Sequence, residues 1–162
     1  MDHQSGLLTA KIAESEGLPL DVANLAAVQR IETWLESSID AYQTIGVETV
    51  LSSPKYQRLV LAARSRGFEV RMIYVVLMSA EMQLARIRER VASGGHDVPE
   101  DKVRSRRTRS FEQLAWFAQH VDQLWIYDNS VGEPDLIGIK WEGTLVELEP
   151  WPADLSAALN RQ

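Results

Sequence analysis

Gly67-Phe-Glu-Val-Arg-Met-Ile-Tyr-Val-Val-Leu77, followed at once by Met78-Ser-Ala-Glu-Met-Gln-Leu-Ala-Arg-Ile-Arg-Glu-Arg-Val-Ala-Ser-Gly-Gly95, is the stretch on which the fold turns. After Arg71 its first half is apolar almost throughout, the pattern of a strand over residues 68–77 covered on both faces, as in a parallel sheet. Ser79 then offers an N-cap oxygen to a helix over residues 80–93, and Gly94-Gly95 closes it. Strand, cap, helix and stop in that order predict a strand-helix-strand unit with a right-handed crossover.

Upstream, residues 7–16 read as a short helix stopped by Gly17 and Pro19. Asp21 is placed to cap a longer helix reaching residue 42, with Val28, Ile31, Leu35, Ile39 and Tyr42 on one face. Residues 45–51 follow as a strand, then Ser53 caps a helix with Pro54 at its first position, ending at Arg66 before Gly67. Downstream, Pro99 begins a helix running to residue 120 with a break near Ser110, and residues 124–128 form the next strand. Residues 136–140 and 144–149 flank Trp141-Glu-Gly143 as a hairpin, and residues 152–160 make a last short helix. The alternation predicts an α/β domain over residues 1–162, with ligand sites beyond the carboxyl ends of the strands. That rule directs attention to Glu48, Thr49, Ser52, Ser79, Asp128 and Asn129.

A chain of 162 residues with 45% hydrophobic and 25% charged residues buries a core of ordinary size, which excludes wholesale disorder. Its lack of cysteine removes disulfides, thiolate metal sites and a Cys nucleophile, and favours a reducing, cytoplasmic setting. No basic, apolar leader opens it, and its longest strongly apolar run, residues 73–78, is too short to span a membrane.

Charge is uneven. Between Arg86 and Arg109, eight cationic side chains stand against four acidic ones, a local surplus on a chain of net charge −6. A cationic segment on an acidic body points to a localised anion partner rather than a surface that coats nucleic acid. Arg86 and Arg90 are four apart, and Arg106 and Arg109 three apart on the next helix, so each pair shares a face. Across the Gly-Gly hinge such pairs form a lid that grips phosphoryl oxygens bidentately. The alternative is two solvated helices with Glu89, Glu100 and Asp101 as ion-pair partners. Glu48, between apolar neighbours near a strand end, is either aimed at a ligand hydroxyl or tied to an arginine. The three histidines lack metal-ligand spacing, and no Gly-x-Ser-x-Gly elbow occurs.

The ordered set Val47-Glu-Thr-Val-Leu-Ser-Ser-Pro-Lys-Tyr56, Gly67 to Leu77, Leu84-Ala-Arg-Ile-Arg-Glu-Arg-Val-Ala-Ser-Gly-Gly-His-Asp-Val-Pro99, Arg104-Ser-Arg-Arg-Thr-Arg-Ser110 and Trp125-Ile-Tyr-Asp-Asn-Ser130 resembles the zeta-toxin-like P-loop kinases. The resemblance covers residues 22–140. It implies a three-layer sandwich on a mainly parallel sheet, and phosphoryl transfer from ATP with Mg2+ to a small hydroxyl substrate. It places Glu48, Thr49 and Ser52 at the substrate, Arg90, Arg106 and Arg109 as lid arginines on the ATP phosphates, and Arg86 and Asn129 beside the nucleotide. Which of Arg86 and Arg90 faces phosphate stays open, and Val50 stands where the family commonly has a second threonine. The family's Gly-x-x-x-x-Gly-Lys-Ser/Thr loop has no counterpart here: the lysines are Lys11, Lys55, Lys102 and Lys140, and none lies in a glycine loop. The family's acidic base falls near Gly6, where no carboxylate stands. Relative to the family the chain reads as truncated at its amino end, inactive alone, with strand edges open to an antitoxin partner or a second copy. A non-catalytic binding module is the alternative. Neither a nucleic acid nor a membrane is an expected partner.

Overall fold

The computed structural model describes residues 3–161, in two compact units, Met1–Val50 and Leu51–Gln162. The first is a helical hairpin of α1 (His3–Glu16) and α2 (Leu20–Asp40). Ile12 packs against Ala23 and Ala27, whose small side chains let the helices approach closely, and Arg30 pairs with Glu16 at 2.6 Å. On the expected stripe of α2, Leu35 and Ile39 are buried but Tyr42 is exposed, lying past the helix end at φ 55. Pro19 precedes the helix and Asp21 sits in its first turn, so the start falls two residues before its expected place.

Residues 43–50 form no strand, contrary to the expectation for 45–51. Their alternation suits a strand, but a strand exists only against a partner, and no pairing involves them.

The second unit is mixed α/β. A 3₁₀ turn (Pro54–Tyr56) leads into α3 (Gln57–Ser65), with Gly67 at φ 82 ending that segment. Next come β1 (Arg71–Val76), α4 (Ala80–Ala92), α5 (Glu100–His120), β2 (Gln123–Asp128), β3 (Asp135–Trp141), β4 (Thr144–Glu147) and α6 (Ala153–Leu159). The sheet runs β1-β2-β3-β4, with β1 and β2 parallel and the other two pairings antiparallel. It is mostly antiparallel rather than mainly parallel, because the last three strands are joined by connections too short for a crossover. Between β3 and β4 the two turn residues, Glu142 and Gly143, both have positive φ (51 and 83), the geometry of a tight type I′ hairpin.

Helix α5 shows why this face buries. Val103, Arg107, Phe111, Leu114 and Ala118 recur at helical spacing and are all buried. Of these, Phe111, Leu114 and Ala118 share one core with Leu124 and Ile126 of β2 and Leu155 of α6, each fully buried. No break occurs at Ser110, whose buried hydroxyl hydrogen-bonds the Tyr74 hydroxyl at 2.8 Å and so has no need to distort the helix. Strand β1 is an edge and is not covered on both faces: Ile73 is 69% and Val75 54% exposed, while Val76 is buried. Among the described residues no helix is long and apolar enough to cross a membrane.

Candidate functional site

Among the described residues, the parallel pair β1–β2, with α4 and α5 as its crossover, is where strand ends and helix starts converge as in ligand-binding α/β folds. Ser79 sits in extended conformation and accepts a hydrogen bond from the Met82 amide at 3.2 Å, the N-cap its sequence position predicts. Beside it the end of β2 is tied down. The Asn129 amide donates to the Val76 carbonyl at 2.9 Å. The Ser130 hydroxyl accepts from the Met78 amide at 2.8 Å and donates to Asp128.

Two pairs of residues singled out in the sequence come together here. Arg86, on α4, donates through Nη2 to the Asn129 carbonyl and at 3.5 Å to that of Ser130, while its Nε and Nη1 make no hydrogen bond among the described residues. Arg109, on α5, donates through Nε to the Ser52 carbonyl at 3.2 Å. Arg90 turns back on its own loop and donates to the His96 carbonyl at 3.1 Å. Arg106 is exposed and has no hydrogen bond or ion pair among the described residues. Glu48 and Thr49 are exposed in the other unit, in the segment without regular structure.

The rest of the cationic run divides. Arg104 lies on the surface between Glu100 (2.7 Å) and Glu81 (2.9 Å). The Glu81 carboxyl is drawn below its usual range by its own backbone amide first and by Arg104 second. Arg107 is the residue that charge counting misplaces, because it is buried. It holds Asp154 with Nε at 2.6 Å and Nη2 at 3.0 Å, gives Nη1 to the Leu77 carbonyl at 2.8 Å, and lies 4.6 Å from the Phe111 ring centroid. Its phase with Val103 and Phe111 is the sequence signal for that burial.

A cavity of about 600 Å³ opens nearby, lined by Met78, Asp128, Asp135, Leu136, Ile137, Glu149 and Pro150. Asp128 and Asp135 are direct cross-strand partners, so like charges face each other. Sequence reasoning reached Asp128 as a strand end but missed Asp135 and Glu149, whose placement depends on hairpin register. The carboxylates that line the cavity oppose an anion there. Among the described residues no three His, Asp or Glu side chains are grouped to hold a metal ion.

These features define a mixed α/β protein with an arginine-bordered crossover. No protein-family model matches the chain, and no solved structure matches it. An uncharacterized protein of Haemophilus influenzae is 38% identical over 60 residues, covering 37% of this chain and 43% of that protein. The chain thus spans less than half the length of this relative.

Proposed function

We propose that this chain follows the zeta-toxin-like P-loop kinase plan, and that it binds a nucleoside triphosphate through arginines of α4 and α5 without itself transferring a phosphoryl group. The observation that carries the reading is Arg86, held by the Asn129 and Ser130 carbonyls at the carboxyl end of the parallel pair with two of its nitrogens unengaged. A guanidinium held through Nη2 alone keeps its Nε and Nη1 hydrogens for phosphate oxygens at little entropic cost. The N-terminus of α4, capped by Ser79, adds a favourable dipole for an anion at the same end of the sheet.

Turnover is a separate matter. Phosphoryl transfer rests on positioning and charge neutralisation, and no lysine here stands in a glycine loop that would cradle the phosphates. The residues present also lack that loop's Ser or Thr, so they do not fit Mg2+ in the family's manner. A second reading, a kinase acting on a small hydroxyl substrate beside Ser52, is favoured by one contact, Arg109 on the Ser52 carbonyl.

Calorimetry and tryptophan fluorescence with Mg·ATP test the proposal. The 162-residue chain is expected to bind saturably, with Arg86→Ala and Arg106→Ala each weakening affinity about tenfold, the effect of losing one charge-assisted contact. No signal up to millimolar ATP sinks it, and ADP release dependent on a hydroxyl compound promotes the second reading.

A further inference from the structure

Gly94 and Gly95, which look like a hinge in the sequence, are the closing residues of a Schellman motif. The Gly95 amide donates to the Arg90 carbonyl at 2.9 Å, and the Gly94 amide to that of Val91 at 2.9 Å, with Gly94 at φ +88. The motif explains Gly94 but not Gly95, whose φ is not in the left-handed region. Arg90 explains Gly95. A Cβ there would stand 2.7 Å from Arg90 Cγ and 2.9 Å from the Arg90 carbonyl oxygen. The arginine side chain runs over the glycine and ends on the His96 carbonyl at 3.1 Å.

We infer that Arg90 is a positioning residue rather than a phosphate contact: with Gly95 it forms an interlock that sets the α4–α5 turn, leaving Arg106 as the lid arginine open to an anion. This rests on the proposed phosphate binding only for its second half. Helix α5 starts at Glu100, four residues beyond the clipped carbonyl, and carries Arg106 and Arg109. Arg90 therefore acts on the anion through the path of the chain, whereas Arg106, exposed and unpaired among the described residues, acts directly.

Two substitutions separate the roles. Gly95→Ala keeps the Arg90 guanidinium but fills the space its side chain crosses, and Arg90→Ala removes the clip. By NMR, exchange of the backbone amides at positions 94 and 95 is expected to accelerate several-fold in both variants, up to about tenfold for a lost charged hydrogen bond, and to stay unchanged in Arg106→Ala. In Mg·ATP calorimetry Arg106→Ala is expected to lose about tenfold in affinity, and the two interlock variants to lose equally and less. Unchanged exchange in Arg90→Ala overturns the interlock. So does a pattern in which Arg90→Ala abolishes binding while Gly95→Ala leaves it intact, since that marks Arg90 as the contact. If no variant binds any nucleotide, the functional proposal fails, and the exchange data still decide the interlock.

Discussion

Removing Asp154 should cost more than its exposure suggests. Its side chain is 53% exposed, yet its partner Arg107 is 3% exposed, and the two share bonds of 2.6 and 3.0 Å. Exposed ion pairs are worth about 0–1 kcal/mol, but stranding a buried partner costs about 3–5 kcal/mol. Here the stranded guanidinium keeps the Leu77 carbonyl and the Phe111 face, and water reaches the Asp154 side. We therefore expect about 2 kcal/mol for Asp154→Ala, between those limits. Arg107→Ala should cost about 3 kcal/mol, because it also leaves the Leu77 carbonyl without its donor, worth about 1–3 kcal/mol. The sign with pH follows from the carboxyl. Burial alone raises its pKa, but the Arg107 hydrogen bonds and charge outweigh it and hold the carboxyl below its ordinary 3.8. The contribution is thus present above about 3.8 and lost as pH falls further, when the folded state must also take up the proton. Urea unfolding followed by tryptophan fluorescence, on both single variants and the double variant, gives the coupling energy. A coupling within about 0.5 kcal/mol of zero at neutral pH refutes the argument, as does a cost of Asp154→Ala that is undiminished at pH 3.

Two more consequences follow from packing. Gly138→Ala places a Cβ 3.0 Å from the Trp151 ring, whose Nε1 donates to the Ile137 carbonyl at 2.9 Å, and should lower stability by about 1–3 kcal/mol with a red shift in tryptophan emission. The Tyr74 hydroxyl is pushed up to about 12, chiefly by burial, so an ultraviolet titration should find a tyrosine that keeps its proton until near pH 12 or unfolding, and Tyr74→Phe should remove it. Because its folded value lies above the unfolded 10.0, stability should decline as pH rises past 10, and Tyr74→Phe should remove that part of the decline.

Local signals were legible where the chemistry is local. Ser79 caps α4, Gly94 and Gly67 end helical segments at positive φ, and Trp141-Glu-Gly143 turns a hairpin, each at its expected place. What escaped is what depends on a partner distant in sequence. Residues 45–51 and β1 both read as strands, but one forms no strand and the other is an edge with Ile73 exposed. Periodicity reports which residues suit a sheet, not how many neighbours the sheet supplies. The acidic cavity escaped for the same reason, since the β2–β3 register sets Asp135 opposite Asp128.

The arginine run shows how far phase alone reaches. From 104 to 109 the sequence offers four guanidiniums that composition treats as equal. On a helix each step turns about 100°, so position 107 falls in line with Val103, Phe111 and Leu114, all buried. A charge forced onto that stripe must find a carboxylate off its own helix, and Asp154 of α6 is that partner. Position 104 looks toward Glu100 one turn back and toward the start of α4. Positions 106 and 109 lie about 60° apart on the outer flank, where one reaches the Ser52 carbonyl and the other has no partner among the described residues. The run that reads as one cationic lid is thus sorted by helix geometry into a buried brace, a surface bridge, a loop clip and one unengaged cation. That sorting is why the anion test belongs first on Arg106 and not on the segment as a whole.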